Sequence, residues 1–295
     1  MDMKGQRKLS RMGRWGRYFS LPNFLPKEGK LNIVKKKNKW PMPNFDENDQ
    51  PHFLFIITLP YSGSTALSEL LNSSHRTMIL QERGEAQWLV PGLCEEDRWD
   101  PKKKVNFLSV KAVWLNKYQQ VKRLTQNIDV VIEKSPPNMM RIEELSSQFL
   151  DYSFIANNRN PYATCASILY RNYNAENISS NQRRDILEYE TKDWLLRSYK
   201  IKELITRLNI PLLTYENFCH EPESILKILN LPDGVAETIN PHAAVKVKDY
   251  KTQPITNQNE RQISNLTDAE IAHIGNILAA HSGLLEFFGY QLISK

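Results

Sequence analysis

The chain has 295 residues, of which 41% are hydrophobic and 24% charged, a composition typical of a globular protein with a sizeable core. The net charge of +6 arises in residues 1–50, which hold 12 Lys/Arg against 5 Asp/Glu, whereas residues 51–295 are nearly neutral. We therefore predict a basic N-terminal extension over 1–50 and one domain over 51–295. Because no apolar run approaches the roughly 20 residues of a membrane span and no signal peptide is visible, we expect a soluble, cytoplasmic protein.

The extension mixes basic residues with aromatic ones such as Trp15, Tyr18 and Trp40. Such a segment suits an anionic surface or nucleic acid, but a solvated, partly ordered extension explains it too. We expect the solvated extension and no nucleic-acid partner. The three cysteines form no C-x-x-C pair and the six histidines lack metal-ligand spacing, which argues against a disulfide scaffold and a metal site.

The first predicted strand, Phe53–Leu59, is apolar without alternation, as in a strand covered on both faces. A turn of small residues follows, and leucines at helical spacing follow the turn. The first turn of a helix leaves backbone N–H groups unpaired, Gly63 allows close approach to an anion, and Ser62, Ser64 and Thr65 add hydroxyl donors. The order predicts a phosphate-binding loop, with a plain helix N-cap as the alternative. A nucleoside triphosphatase is disfavoured because no Lys follows Gly63.

Two carboxylates, Glu82 and Glu85, follow the second predicted strand, Thr77–Leu80. In open α/β sheets, ligands bind outside the carboxyl ends of the strands. Both residues are therefore candidate site residues, with a solvated acidic loop as the alternative. A turn-rich surface excursion is predicted over Pro91–Lys104 and a helix over Val105–Arg123.

The third predicted strand, Ile128–Ile132, leads into Glu133, Lys134 and a Pro-Pro turn. A Lys held on such a rigid support can neutralise charge that develops on a transferring group. The alternative is a surface lysine. We predict that a helix follows over Met139–Phe149.

The fourth predicted strand, Tyr152–Ala156, precedes a helix that begins at Asn160 and Pro161. Arg159 lies directly in front of this helix, and Ser167 lies eight residues further along. An Arg at the start of a helix and a hydroxyl on the same element suit the binding of a phosphate.

Helices and strands continue to alternate to the end of the chain, which predicts an α/β fold with a mainly parallel central sheet and helices on both faces. The remaining predicted elements are the helix Asp185–Leu208, the strand Ile210–Thr214 ending at Tyr215, and a last helix from the Thr267/Glu270 capping box to Gly283.

Four segments together resemble the sulfotransferases that use 3′-phosphoadenosine-5′-phosphosulfate (PAPS). PYSGSTAL resembles their 5′-phosphosulfate loop, and NRNPYATCASILYR resembles their 3′-phosphate segment. TYENF is similar to the strand whose Tyr lies near the adenine, and EKSP is similar to an element of the carbohydrate and tyrosylprotein branches. The resemblance runs from about Phe53 to Tyr290 and implies a P-loop-like, three-layer fold.

The resemblance also implies a role for each matched residue. Lys134 takes the place of the Lys that touches the bridging oxygen. Glu85, six residues before Pro91, matches the spacing of the catalytic base, while Glu82 matches when counted from the phosphate loop; we rank Glu85 first. The implied cofactor-binding residues are Tyr61, Ser62, Gly63, Ser64 and Thr65 around the 5′-phosphosulfate, Arg159 and Ser167 at the 3′-phosphate, and Tyr215 beside the adenine.

The chain departs from the family pattern in two places. Tyr61 stands where members usually have Lys or Arg, so the missing positive charge must come from Lys134 or a later basic residue. The Gly-rich R-K-G segment of the cytosolic branch is also absent, which leaves as substitutes Lys246, Lys248, Lys251 or Arg261.

The resemblance implies transfer of a sulfuryl group from PAPS to a hydroxyl or amine of a small-molecule acceptor, with adenosine 3′,5′-bisphosphate as the by-product. It requires no metal, and it leaves the oligomeric state open. Two alternatives come from other classes: a P-loop kinase of a small metabolite, and a non-catalytic nucleotide- or polyanion-binding protein.

Overall fold

The computed structural model describes residues 46, 49–125, 127–247 and 251–293. The proposed 1–50 extension lies almost wholly outside these residues. The five strands are β1 (His52–Thr58), β2 (Thr77–Ile79), β3 (Val130–Glu133), β4 (Tyr152–Asn158) and β5 (Leu212–Thr214). They form one sheet in the order β2-β3-β1-β4-β5, and every neighbouring pair is parallel.

Helices connect and flank the strands. Short 3₁₀ helices occur at Glu82–Gly84, Ala86–Leu89, Glu96–Trp99, Pro136–Met140 and Ala236–Thr238. The α-helices of the described residues are α1 (Ser64–Leu71), α2 (Phe107–Thr125), α3 (Ile142–Gln148), α4 (Pro161–Asn172), α5 (Ser180–Leu208), α6 (Tyr215–His220), α7 (Ser224–Ile228), α8 (Asn259–Ile263), α9 (Asp268–Ala279) and α10 (Ser282–Phe287). In the part of the chain that is described, no helix is both long and apolar enough to cross a bilayer.

The central strand β1 is buried on both faces because its side chains alternate between two cores. Phe53 and Phe55 pack into one core with helices α2, α4 and α5, while Leu54 and Ile56 pack into the other with α1 and α6. A strand buried in this way reads as continuously apolar, as predicted. The predicted α/β fold with a parallel sheet and helices on both faces is confirmed.

Local capping signals were reliable where a single residue decides the helix start. The Asn160 side chain accepts hydrogen bonds from the first turn of α4, with Pro161 as its first residue, as predicted. The start predicted for α5 was wrong, because a capping box between Ser179 and Gln182 begins that helix at Ser180.

Two predicted helix limits differ from the structure. Helix α9 ends at Ala279, and Gly283 lies inside α10. Gly283 does not adopt the left-handed conformation of a helix-terminating glycine. The helix predicted over Met139–Phe149 is divided, because Pro136–Met140 forms a 3₁₀ turn after the Pro-Pro pair and α3 begins only at Ile142.

Candidate functional site

The loop between β1 and α1 has an unusual backbone that only certain residues can follow. Tyr61 and Gly63 both adopt left-handed conformations, with φ of 63° and 78°. A Cβ atom on Gly63 would lie 2.2 Å from Cδ2 of Tyr215, so glycine is required for the Tyr215 ring to pack against the loop. Helix α1 begins next, at Ser64, without a side-chain cap. The loop thus leads into a helix N-terminus suited to an anion.

The hydroxyl of Ser62 points into the fold. Ser62 is 1% exposed, and its Oγ donates to the Leu59 carbonyl oxygen at 2.7 Å and lies 2.6 Å from Thr58 Oγ1. Of the three hydroxyls predicted to contact phosphosulfate, only those of Ser64 and Thr65 belong to residues that line a cavity. The Ser62 side chain supports the shape of the loop.

One cavity, of about 200 Å³, brings together most of the predicted cofactor residues. They come from the β1–α1 loop, from the start and middle of α4, and from the end of β5. The predicted residues that line it are Tyr61, Gly63, Ser64, Thr65, Arg159, Ser167 and Tyr215. We call it the small cavity.

Arg159 is buried beside the small cavity and is only partly satisfied. Its Nε donates to Asn259 Oδ1 at 2.8 Å, and its Nη1 donates to the Tyr61 carbonyl oxygen at 3.2 Å. The guanidinium carbon lies 4.0 Å from the centre of the Tyr215 ring. Burial lowers the pKa of Arg159. The buried Nη2 has no hydrogen-bond partner among the described residues, so an anion in the small cavity would satisfy it.

Tyr215 connects the loop to a distant segment of the chain. Its hydroxyl donates to the Thr256 carbonyl oxygen at 3.0 Å and accepts from the Gln258 N–H at 3.1 Å. Burial raises the pKa of Tyr215 to about 12, so the phenol stays neutral. The segment around residues 253–262 therefore forms one wall of the small cavity.

A second cavity of about 770 Å³, which we call the large cleft, adjoins the first. Tyr61, Ser64 and Thr65 line both cavities. The three predicted catalytic residues, Glu82, Glu85 and Lys134, line only the large cleft. The predicted catalytic and cofactor-binding residues therefore meet where the two cavities join.

Lys134 is a buried residue at this junction, so the alternative of a surface lysine is wrong. It is 2% exposed, and its Nζ lies 3.1 Å from Thr65 Oγ1 and 3.4 Å from Glu85 Oε1. Its backbone N–H donates to the Gly84 carbonyl oxygen at 2.7 Å. Burial lowers the pKa of Lys134, and the charge of Glu85 opposes this shift.

The two candidate bases have very different surroundings. Glu85 is 19% exposed, accepts from Trp88 Nε1 at 2.9 Å and lies 3.4 Å from Arg98 Nη2. Burial raises the pKa of Glu85, but Lys134, Trp88 and Arg98 together bring it below its usual value. Glu82 is 79% exposed and contacts only the neighbouring Arg83, at 3.7 Å, among the described residues. Glu85 is thus the carboxylate in contact with Lys134.

Glu133 fixes the backbone on both sides of the Lys134–Glu85 pair. Its carboxylate is fully buried and accepts from the N–H groups of Ala86 and Ser135, each at 3.1 Å. It also accepts from the Ser135 hydroxyl and the Asn138 side-chain amide. Burial raises the pKa of Glu133 to about 7, although the hydrogen bonds from Ser135 act to lower it. This carboxylate joins the end of β3 to the 3₁₀ turn that follows Glu85.

Sequence reasoning missed several residues that line the two cavities. Arg98 and Trp99 come from the predicted surface excursion, yet Trp99 is 1% exposed and both residues line the large cleft. The Tyr61 hydroxyl donates to Asn172 Oδ1, a residue without a recognisable motif. The one available signal was the presence of Trp99 within a charged stretch, which could have indicated that this excursion packs against the core.

Among the four basic residues considered as substitutes for the missing R-K-G segment, Arg261 lines the small cavity. Lys246 and Lys251 are exposed and do not line it. Lys248 lies outside the described residues.

Comparisons with known proteins bear on the family and the fold of the chain. A model of the sulfotransferase family matches residues 51–230. No curated protein sequence matches the chain. Among solved structures, the sulfotransferase domain of the Synechococcus PCC 7002 olefin synthase matches with a TM-score of 0.50 and 18% identity, covering 85% of this chain and 100% of that domain.

Two further solved structures are similar at lower scores. The sulfotransferase domain from the curacin biosynthetic pathway has a TM-score of 0.47 and 14% identity, with 83% of this chain and 99% of that chain covered. A sulfotransferase from Alicyclobacillus acidocaldarius has a TM-score of 0.49 and 13% identity, with 82% and 97% covered.

The family match covers more than half of the chain and contains the phosphate-loop, Lys134 and Arg159 segments. The fold of the olefin synthase domain is shared along most of the chain's length. The expected resemblance is therefore confirmed, and the chain belongs to the sulfotransferase family.

Proposed function

We propose that this sulfotransferase moves a sulfuryl group from PAPS to a hydroxyl or amine of a small-molecule acceptor. The observation that carries the proposal is the junction of the two cavities. The residues expected to hold the nucleotide line the small cavity, and the paired Glu85 and Lys134 lie where that cavity opens into the large cleft.

The residues that line the small cavity are suited to a nucleotide with two separate anionic groups. Arg159 offers an unsatisfied buried Nη2, and Ser167 and Arg261 line the same cavity; these three residues would hold the 3′-phosphate. The N-terminus of α1, with Thr65, would hold the 5′-phosphosulfate beside Lys134. Tyr215 would border the adenine.

Different residues of the chain would then accept the proton of the acceptor and stabilise the negative charge. Bound PAPS would supply the activated sulfuryl group. Glu85, which is ionised at neutral pH because of Lys134, Trp88 and Arg98, would accept the proton of the acceptor hydroxyl. Lys134 and the N–H groups of α1 would stabilise negative charge at the junction without any reorganisation.

The large cleft would receive the acceptor. Its volume of about 770 Å³ lies within the range of sites for small organic ligands. Aromatic side chains from three parts of the chain line it, namely Trp88, Tyr173 and Tyr189. A small organic acceptor therefore suits this cleft.

Transfer of radiolabelled sulfate from PAPS to a pool of small hydroxyl and amine acceptors tests the proposal. We expect labelled product that depends on Glu85 and that forms without added Mg²⁺. Label transfer from γ-labelled ATP in place of PAPS would show a kinase and overturn the proposal. Tight binding of adenosine 3′,5′-bisphosphate without transfer to any acceptor would indicate a non-catalytic binding protein.

A further inference from the structure

A buried carboxyl group without a close ion-pair partner among the described residues lies in the large cleft. Glu190 of α5 is 8% exposed, and its Oε1 lies 3.4 Å from the Tyr173 hydroxyl, which is its hydrogen-bond donor among the described residues. One turn further along α5, Asp193 is paired with Arg197 at 2.8 Å. Arg197 acts on Glu190 through its charge, while its close ion pair is with Asp193.

Holding a carboxylate in such a place is costly. Burial and the nearby charge of Asp193 raise the pKa of Glu190 to about 8, while Arg197 opposes the shift. A buried carboxyl group that lacks a compensating partner and faces a cleft is a typical mark of a functional position. A ligand that brings a positive charge would remove this cost.

The surroundings of Glu190 are suited to an organic ammonium group. The rings of Tyr173 and Tyr189 line the same cleft, and aromatic rings attract cations through their faces. Thr164 also lines the cleft; it is 2% exposed, and its hydroxyl has no hydrogen-bond partner among the described residues. The carboxylate and the unpartnered hydroxyl can accept hydrogen bonds from a protonated amine, and the two phenol rings can attract its charge.

The other carboxylates of the cleft are less able to attract a cation. Glu85 is paired with Lys134 and Arg98, and Asp193 with Arg197, whereas Glu82 is exposed to solvent. Once it has lost its proton, Glu190 is therefore the buried carboxylate of the cleft that lacks a close ion-pair partner among the described residues.

Glu190 and the reacting end of the cleft lie within electrostatic range of a common side chain. The carboxylates of Glu190 and Glu85 both act to raise the pKa of Tyr61, next to the phosphate loop. Both carboxylates line the same cleft of about 770 Å³.

We propose that the acceptor of this enzyme carries a protonated amine in addition to the group that is sulfated, and that this ammonium binds Glu190 together with Tyr173 and Thr164. The inference rests on the proposed function only for the sulfated group. The substrate class is thus an amine-bearing alcohol or phenol.

The test measures binding to the full chain saturated with adenosine 3′,5′-bisphosphate, by calorimetry. The probes are tyramine and para-ethylphenol, which have similar shapes but differ in the ammonium group. We expect tyramine to bind about 10- to 100-fold more tightly, as one charge-assisted contact provides. Glu190→Gln should abolish the preference, whereas Glu188→Gln, a partly exposed residue of α5 paired with Lys192, should retain it.

The pH dependence of tyramine binding provides a readout that a merely structural role of Glu190 would not give. The charged and titratable groups near Glu190 are Asp193 and Arg197 of its own helix, Cys165 of α4, and the phenols of Tyr173, Tyr189 and Tyr61. Since protonated Glu190 must lose its proton to pair with an ammonium, tyramine affinity should rise as the pH approaches about 8 and level off above it. In Glu190→Gln this rise should disappear.

Failure to bind tyramine, an equal affinity for both probes, or a preference that survives in Glu190→Gln would overturn the ammonium site. Sulfate transfer to tyramine is measured separately. Selective, Glu190-dependent binding without transfer would support the ammonium site while contradicting the proposed reaction.

Discussion

At the residue scale, Glu85 and Glu82 differ in contacts that decide which of them can act as a base. We expect Glu85→Gln to keep its affinity for the nucleotide and to lower turnover by roughly 10²- to 10⁴-fold, the usual range for a general base. Glu82→Gln is the matched control, because Glu82 is exposed and contacts only Arg83 among the described residues. Steady-state kinetics of both variants check this; an inactive Glu82→Gln beside an active Glu85→Gln would reverse the assignment.

Lys134 and Tyr61 should contribute very unequally to turnover, although both border the junction of the cavities. Lys134→Ala removes the buried ammonium near Thr65 and Glu85, and we expect it to be the most damaging single change to turnover. Burial raises the pKa of Tyr61, so its phenol is neutral and donates one hydrogen bond, to Asn172.

Tyr61→Phe should therefore cost only about 0.5–1.5 kcal/mol, one neutral hydrogen bond. Kinetics with PAPS and acceptor varied separately will show whether the loss falls on turnover or on a Michaelis constant. A Tyr61→Phe enzyme as inactive as Lys134→Ala would contradict this division of roles.

Sequence reasoning named Lys134 and, from motif spacing, ranked Glu85 ahead of Glu82. It could not show the contact of Glu85 with Arg98, thirteen residues further along in a stretch without regular periodicity. Such contacts depend on tertiary packing, which residue spacing does not encode.

At the scale of elements, the role of the β1–α1 loop can be tested by comparing Gly63 with Gly92, a glycine outside the loop that has a similar backbone conformation. Gly63 has φ +78° and meets Tyr215, whereas Gly92 has φ +84° and nothing within 4 Å of an added Cβ. We expect Gly92→Ala to lower the free energy of unfolding by about 1–3 kcal/mol, the cost of the left-handed backbone. Gly63→Ala should cost more and should also weaken nucleotide binding, because Tyr215 must move.

Urea unfolding and calorimetry of the two variants separate these effects. Equal losses of stability and unchanged nucleotide affinity would mean that the Tyr215 ring adjusts freely. The sequence prediction gave Gly63 the role of letting an anion approach the backbone. In the structure, the Tyr215 ring occupies the space that a Cβ atom on Gly63 would need.

Two helix starts that depend on adjacent residues were predicted, and a third was missed. The Asn160-Pro161 start of α4 and the Thr267/Glu270 capping box of α9 follow from a few adjacent residues. The Ser179/Gln182 capping box of α5 is equally local but was not recognised, and α10 begins without a side-chain cap that could have marked it.

At the scale of the whole molecule, a nucleotide in the small cavity would contact three separate parts of the chain. These are the β1–α1 loop, helix α4 and the 253–262 segment. We expect adenosine 3′,5′-bisphosphate at about 100 times its Kd to raise the free energy of unfolding by about 2.7 kcal/mol, because only the folded chain has this cavity. A rise in Tm should follow.

Arg159→Ala should weaken that binding by about 1.5–3 kcal/mol, the range for a charge-assisted hydrogen bond. Arg123→Ala, an exposed position at the end of α2, is the control and should leave the thermal shift unchanged. Should ATP shift the Tm and adenosine 3′,5′-bisphosphate fail to do so, the nucleotide assignment would be wrong.

The alternation of strands and helices was sufficient to predict the parallel sheet, because buried parallel strands are apolar on both faces. The 253–262 wall of the small cavity could not be predicted from the sequence. Asn259 and Gln258 come from a polar stretch without a motif, and only folding brings them to Arg159 and Tyr215.

The bonds between the Tyr215 hydroxyl and residues 256 and 258 have a kinetic consequence. The proposed nucleotide would lie against both Tyr215 and the 253–262 wall, which these two hydrogen bonds hold together. We expect its release to require that the wall separate from the ring and that both bonds break. Departure of the spent nucleotide, rather than the chemical step, would then set the pace of successive turnovers. A pre-steady-state burst of sulfated product, and its loss in Tyr215→Phe, would reveal this order of events.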